Sequence, residues 1–169
     1  MIRQAIIMAT AVAALMAAPA HPQSQQQVVT QFNDSTVSRL LLDVQANFNI
    51  EAGADGTKIF RAQADGGLAF TLSPRACSAE AGCVGLLLIA IFTRSDGRNL
   101  GELDALLHRY NDLNPNGKVY RMENGTVVLQ GYINAAYGIS YANAQAQLLV
   151  FGQEIAKLRK TLTDFGEGR

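Results

Sequence analysis

Apolar residues recur along this 169-residue chain at two different spacings. Val37, Leu40, Leu41, Val44 and Phe48 fall three and four apart, so 34–48 is predicted to be a helix capped by Asp34 or Ser35. A turn follows at 53–56, then a short strand over 58–62. Asp65-Gly66-Gly67 is a hairpin signal. Behind it Leu68, Phe70 and Leu72 alternate, which predicts a strand with one buried face. The run 84–92 (VGLLLIAIF) does not alternate, and its two apolar faces predict a strand covered on both sides. After a polar turn at 95–99, Leu103, Leu106, Leu107 and Tyr110 mark a second helix over 100–113, stopped by Pro115 and Gly117. Residues 118–122 and 126–134 read as a hairpin with a type I′ turn at Asn124-Gly125. Ser140 then caps a third helix, whose stripe runs through Ala144, Leu148, Phe151, Ile155, Leu158 and Leu162. The expected order is α-β-β-β-α-β-β-α: an α+β sandwich with a five-stranded antiparallel or mixed sheet packed by three helices.

The N-terminus has a different logic. Arg3 is followed by an apolar run from 5 to 18 and by Ala18-Pro19-Ala20, a small-x-small cleavage site. The run is shorter than the ~20 apolar residues a membrane span needs. Residues 1–20 therefore read as a cleaved signal peptide, and 21–33, with its Gln-rich start, as a flexible polar leader. Residues 34–163 are expected to form one domain, and 164–169 a polar tail. Export places the protein in the periplasm or outside the cell, with no membrane insertion after cleavage.

Composition narrows the function classes. Fourteen basic and fourteen acidic residues balance, which leaves no basic stripe for nucleic acid. Cys77 and Cys83 are open to three readings: a disulfide, a metal pair or free thiols. An oxidising compartment favours the disulfide, worth about 2 kcal/mol for so short a loop. Two thiolates fall short of the four ligands of a structural zinc site, and the C-x-x-C redox spacing is absent. His21 sits in the leader and His108 beside Arg109, with no nucleophile-elbow motif. Glu102 and Asp104 suit a helix first turn. Asp65-Gly66-Gly67 lacks the Lys-Ser/Thr of a phosphate loop, and Asn124-Gly125-Thr126 reads as a turn rather than a glycosylation site. Tyr132, Tyr137 and Tyr141 gather near the last strand-to-helix junction. Tyrosine joins an apolar ring to a polar tip, which makes these three the candidate ligand or partner surface.

Several segments resemble the YbjN-like family, described as bacterial sensory-transduction regulators. They are Cys77 and Cys83 around a turn before an apolar strand, Asn111-Asp112-Leu113-Asn114 leading into Gly117-Lys118-Val119-Tyr120, the strand Val127-Val128-Leu129-Gln130-Gly131-Tyr132, and Gly138-Ile139-Ser140 opening the last helix. The likeness covers about 35–162. Gln130 stands where the pattern has an acidic residue, and Tyr110 where it has Trp. The resemblance implies a fold similar to type III secretion chaperones, pairing into dimers, and binding rather than chemistry.

These readings converge on an exported binding or regulatory module that is not an enzyme and needs no cofactor or metal. Its expected partner is a second copy of itself, or a protein segment laid on the sheet or in a helix groove. The alternative is a carrier or sensor of a small amphiphile held between the sheet and the last helix. The mature chain is expected to begin at about His21. N-terminal sequencing of exported material checks this, and finding Met1 there refutes it.

Overall fold

In the computed structural model the described residues are 27–54, 56–92 and 99–167. The expected signal peptide, the start of the leader and most of the 95–99 turn lie outside them. In chain order the elements are β1 (Val28–Val29), α1 (Asp34–Asp43), β2 (Asn47–Ala52), β3 (Lys58–Ala64), β4 (Leu68–Ser78), β5 (Gly82–Phe92), α2 (Leu100–Leu113), β6 (Lys118–Arg121), β7 (Val127–Asn134), β8 (Ile139–Ser140) and α3 (Tyr141–Glu167). One antiparallel sheet has the order β2-β3-β4-β5-β7-β6, and β1 and β8 form a separate two-stranded ribbon. The fold is α+β.

Strand register explains the core. Phe60 opposes Leu72, Leu72 opposes Leu88, and Leu88 opposes Gly131, so one row of apolar residues crosses four strands. Ala90, Leu129 and Val119 make a parallel row. Side chains alternate across a sheet, so both rows share a face. Onto it pack Val37, Leu40 and Leu41 of α1, Leu103 and Leu107 of α2, and Leu148, Phe151, Ile155 and Leu158 of α3, in one buried cluster. At Gly131 a Cβ would lie 2.8 Å from the Phe151 ring, so glycine there lets α3 sit down on β7. All three helices lie on the same side of the sheet.

Local signals place the helix ends. Asn33 Oδ1, rather than Asp34 or Ser35, accepts the Thr36 amide and caps α1. Asn99 caps α2 through the Gly101 amide, and Ser140 Oγ accepts the Asn143 amide at the start of α3. Tyr110 Oη donates to Glu154 Oε2 at 2.7 Å, which ties α2 to α3 and satisfies a buried carboxylate. Burial first, and then Glu154, pushes the Tyr110 hydroxyl well above its ordinary range, so it stays a donor.

Five expectations are corrected. The first helix stops at Asp43 rather than 48, because the chain turns at Gln45 (φ 58°) into a strand. Phe48 sits on that strand, its ring centroid 6.2 Å from Phe60; a residue four beyond Val44 fits a helical stripe and a half-buried strand equally well. The main sheet accordingly has six strands, not five. The expected leader is structured from residue 28: Val29 and Phe32 are buried in the core. The polar tail is largely helix, since α3 runs to Glu167 with Lys160 and Asp164 paired at 2.7 Å. The turn before β7 is not type I′, which needs positive φ at both central residues. Only Gly125 has it (φ 85°), and its amide bonds the Met122 carbonyl at 2.9 Å.

Strand β5 is covered on one face, not two. Leu86, Leu88 and Ala90 meet the helices, whereas Ile91 points away and is exposed. Cys77 and Cys83 are directly opposite in the β4–β5 ladder and form the disulfide.

Leu88→Asp should unfold the domain, because it sets an unpaired charge between sheet and helices at a cost of several kcal/mol, against a total stability of about 5–15 kcal/mol. A normal melting temperature for that variant would refute the burial. Phe32→Ala should cost roughly 3–5 kcal/mol in denaturant unfolding, as for any fully buried aromatic ring. A loss below about 1 kcal/mol would show that residues 28–33 are not part of the core.

Candidate functional site

The sheet face away from the helices is built by the other set of alternating residues. Tyr120 opposes Val128, and Val128 opposes Ile91. The next row runs Lys118, Gln130, Ile89, Thr71, Arg61 and Asn49. The row after it sets Tyr132 against Leu87 and Leu87 against Ser73. An apolar strip therefore runs along β5 and β7, interrupted on β7 by Gln130, with further polar residues outside it.

The strip carries exposed apolar side chains at its ends, and Leu87 and Ile89 between them are half-buried. Ile91 is 63% exposed, Tyr132 48% and Tyr120 37%. Val128 is buried yet lies outside the helix-side core, enclosed by its neighbours on the open face. Tyr132 lies flat across the sheet: a Cβ at Gly85 would sit 1.8 Å from its hydroxyl oxygen. Ser73 is buried at the edge of the strip, and its Oγ has no hydrogen-bond partner among the described residues. Toward the β2 edge, Arg61 Nε donates to Glu51 Oε2 at 2.5 Å and Asn49 donates to Oε1 at 3.0 Å. The Arg61 hydrogen bond, foremost, holds the Glu51 carboxyl below its usual range. Arg75 on β4 and Lys118 on β6 complete a charged surround.

Only one of the three expected tyrosines belongs to this surface. Tyr132 is on the open face. Tyr137 is fully exposed in the turn between β7 and β8. Tyr141 is buried at the start of α3, on the helix side, where its hydroxyl donates to Asp43 Oδ2 at 2.7 Å and Arg39 stacks over its ring. Burial, then Asp43, raises the Tyr141 hydroxyl well above its ordinary range. Proximity in sequence spread these residues over two sides of the sheet, because β7 ends and the chain crosses the sheet edge between Asn134 and Ile139. Leu87, Ile89 and Ile91 lie in the apolar run 84–92, whose failure to alternate marks them in the sequence; Tyr120, on β6, is the residue of this surface that sequence reasoning missed.

Other sites considered in the sequence take structural roles. His108 lines a cavity of about 200 Å³ with Asp104, Asn111 and Arg121. Both Asp104 oxygens are held by Arg121, at 2.8 and 2.9 Å, so this carboxylate orients an arginine and not a histidine. That hydrogen bonding holds the Asp104 carboxyl below its usual range. The α3 stripe, Ala144 to Leu158, is consumed by the core. Phe151 fills the space over Gly131 and meets Phe70 edge-on at 6.2 Å, where a ligand between sheet and last helix was one expectation. Among the described residues no helix is long and apolar enough to cross a membrane. The chain matches no family model and no curated protein.

Proposed function

We propose that this chain is an exported binding module of the YbjN-like kind, without catalytic activity, that works through its open sheet face and pairs there with a second copy of itself. The observation that carries this reading is the one-sided packing of the helices. It leaves Leu87, Ile89, Ile91, Tyr120 and Tyr132 on a face that no described helix covers.

Size and pattern favour a second copy. Six strands about 4.8 Å apart, each presenting about eight residues at 3.3 Å, make a face of roughly 700–750 Å². A stable interface needs about 800 Å² from each partner. A two-fold axis that crosses β5 at right angles between Leu87 and Ile89 lays the strip on its own copy, apolar against apolar. Sheets stacked in this way pack about 10 Å apart and interdigitate their side chains. The unpartnered Ser73 hydroxyl then lies at the margin of the contact, where a group of the second copy can reach it. The type III secretion chaperone-like fold implied by the sequence resemblance, and the dimers common to it, point the same way.

Sedimentation at micromolar concentration should give twice the mass of the mature chain. Ile91→Asp should reduce it to a monomer, while the melting temperature of the isolated domain changes by only a few degrees, since Ile91 is not in the core. Leu149→Asp, on the exposed side of α3, should leave the dimer intact. A wild-type monomer at high concentration, or a dimer that Leu149→Asp breaks and Ile91→Asp does not, would overturn the proposal.

A further inference from the structure

The Cys77–Cys83 bond has an unusual position for a staple. Its cysteines are already neighbours in a ladder that runs from Thr71–Ile89 to Ser78–Gly82, so the bond closes a loop that the backbone closes anyway. Cys77 is exposed and Cys83 half-buried. Beside Cys83 is a cavity of about 440 Å³, bordered by Phe32, Asn33, Lys58 and Pro74 and able to admit an approaching chain.

The backbone around the bond is held in tension with its surroundings. Ala76, next to Cys77, has φ 52° near the end of β4, a conformation that L-residues with a Cβ avoid. The Ala76–Val84 pairing is missing from the ladder at that point. On the other strand the Cys83 carbonyl accepts the Phe32 amide at 2.7 Å, and the Val84 carbonyl accepts the Ala135 amide at 2.8 Å. Gln31 fills the space where a Cβ on Gly82 would be. The hairpin tip thus anchors the Phe32 end of residues 28–33, the strap that carries Val29 and Phe32 into the core and is held at its other end by β8.

We propose that Cys77–Cys83 is a thiol–disulfide exchange site for a dithiol protein, and that reducing it loosens the Phe32 end of the strap while the rest of the domain stays folded. The partner's thiolate attacks Sγ of Cys77, the more exposed residue of the pair. The S–S bond breaks, a mixed disulfide forms on Cys77, and Cys83 leaves as a thiolate that takes up a proton. The partner's second thiol then attacks the mixed disulfide and frees the Cys77 thiol. The chain gains two electrons and two protons, and the dithiol becomes a disulfide. With the tie gone, Ala76 can relax to negative φ, the tip from 76 to 84 moves, and the Cys83 carbonyl no longer holds the Phe32 amide. The ladder from Thr71 to Arg75 is held by β5, with Thr71 and Leu72 also paired to β3, and remains.

The test uses the mature protein, folded and without denaturant, with dithiothreitol and a thioredoxin-type dithiol protein as probes. Thiol counting should find two new thiols per chain after either reagent. Deuterium exchange in the strap, read at the Phe32 amide, should then quicken at least tenfold, with 148–158 of α3 unchanged. The Cys77→Ser/Cys83→Ser double variant should show the same fast strap and slow α3. A bond that yields only after denaturation would overturn the proposal. So would a reduced protein with an unchanged strap, or one in which α3 exchanges as fast as the strap, since the bond would then be an inert staple or a global one.

Discussion

The molecule depends on how α3 seats against β7 and β5. A sheet of six strands has two faces to bury, and a helix layer covers one. Twenty-seven residues of α3 span about 40 Å, enough to cross the whole sheet. Gly131 lets it approach closely, Phe151 and Leu148 fill the space, and Glu154 joins it to α2 through Tyr110. Once α3 lies there, α1 and α2 find their apolar sides on the same face, beside it. Nothing in the described chain is left for the opposite face. Leu87, Ile89 and Ile91 are therefore apolar residues on a face that the described helices do not cover.

Much of this was legible in the sequence. Long stripes with a clear cap, such as Ser140 followed by Ala144, Leu148 and Phe151, specify a helix almost alone, because capping and periodicity agree. The α2 helix and the β3–β4 and β4–β5 hairpins were legible for the same reason. Boundaries were less so where one residue satisfies two periods. Phe48 continues the α1 stripe and also fits β2, and only the left-handed turn at Gln45, favoured by no local motif, decides between them. Burial was least legible of all. An apolar run states that both faces of β5 avoid charge, but not what covers each face, which is a property of helices far along the chain.

The strap shows the same limit from the other side. Residues 23–27 are polar, and the composition of 21–33 as a whole reads as a leader. Yet a few apolar residues are enough when long-range partners supply the backbone hydrogen bonds: Cys83 for Phe32, Gln27 for the Tyr141 amide, and β8 for β1. Val29 and Phe32 reach the core only because these contacts hold the backbone against the hairpin tip. A window of local sequence contains none of those partners. The three tyrosines failed as a group for a related reason. They are close in number, but the turn between β7 and β8 sends Tyr132 to one side of the sheet and Tyr141 to the other.

The open face differs from an accident of incomplete packing in how its charges are placed. Glu51 and Arg61 neutralise each other on the β2 side, with Asn49 holding the carboxylate in position. Arg75 and Lys118 stand away from the centre, and no charge interrupts Leu87, Ile89, Ile91, Val128 and the two tyrosines. An apolar centre depleted of charge inside a polar surround is the anatomy of a protein interface. A sheet surface meant only for water would alternate polar residues along β5, as β3 of the same sheet does with Arg61 and Gln63. Tyrosine supplies the rest: Tyr132 lying over Gly85 offers a broad ring with few torsions left to freeze, so docking on it costs little conformational entropy. The face is therefore already shaped before any partner arrives, and the rigidity comes from the same helices that left it bare.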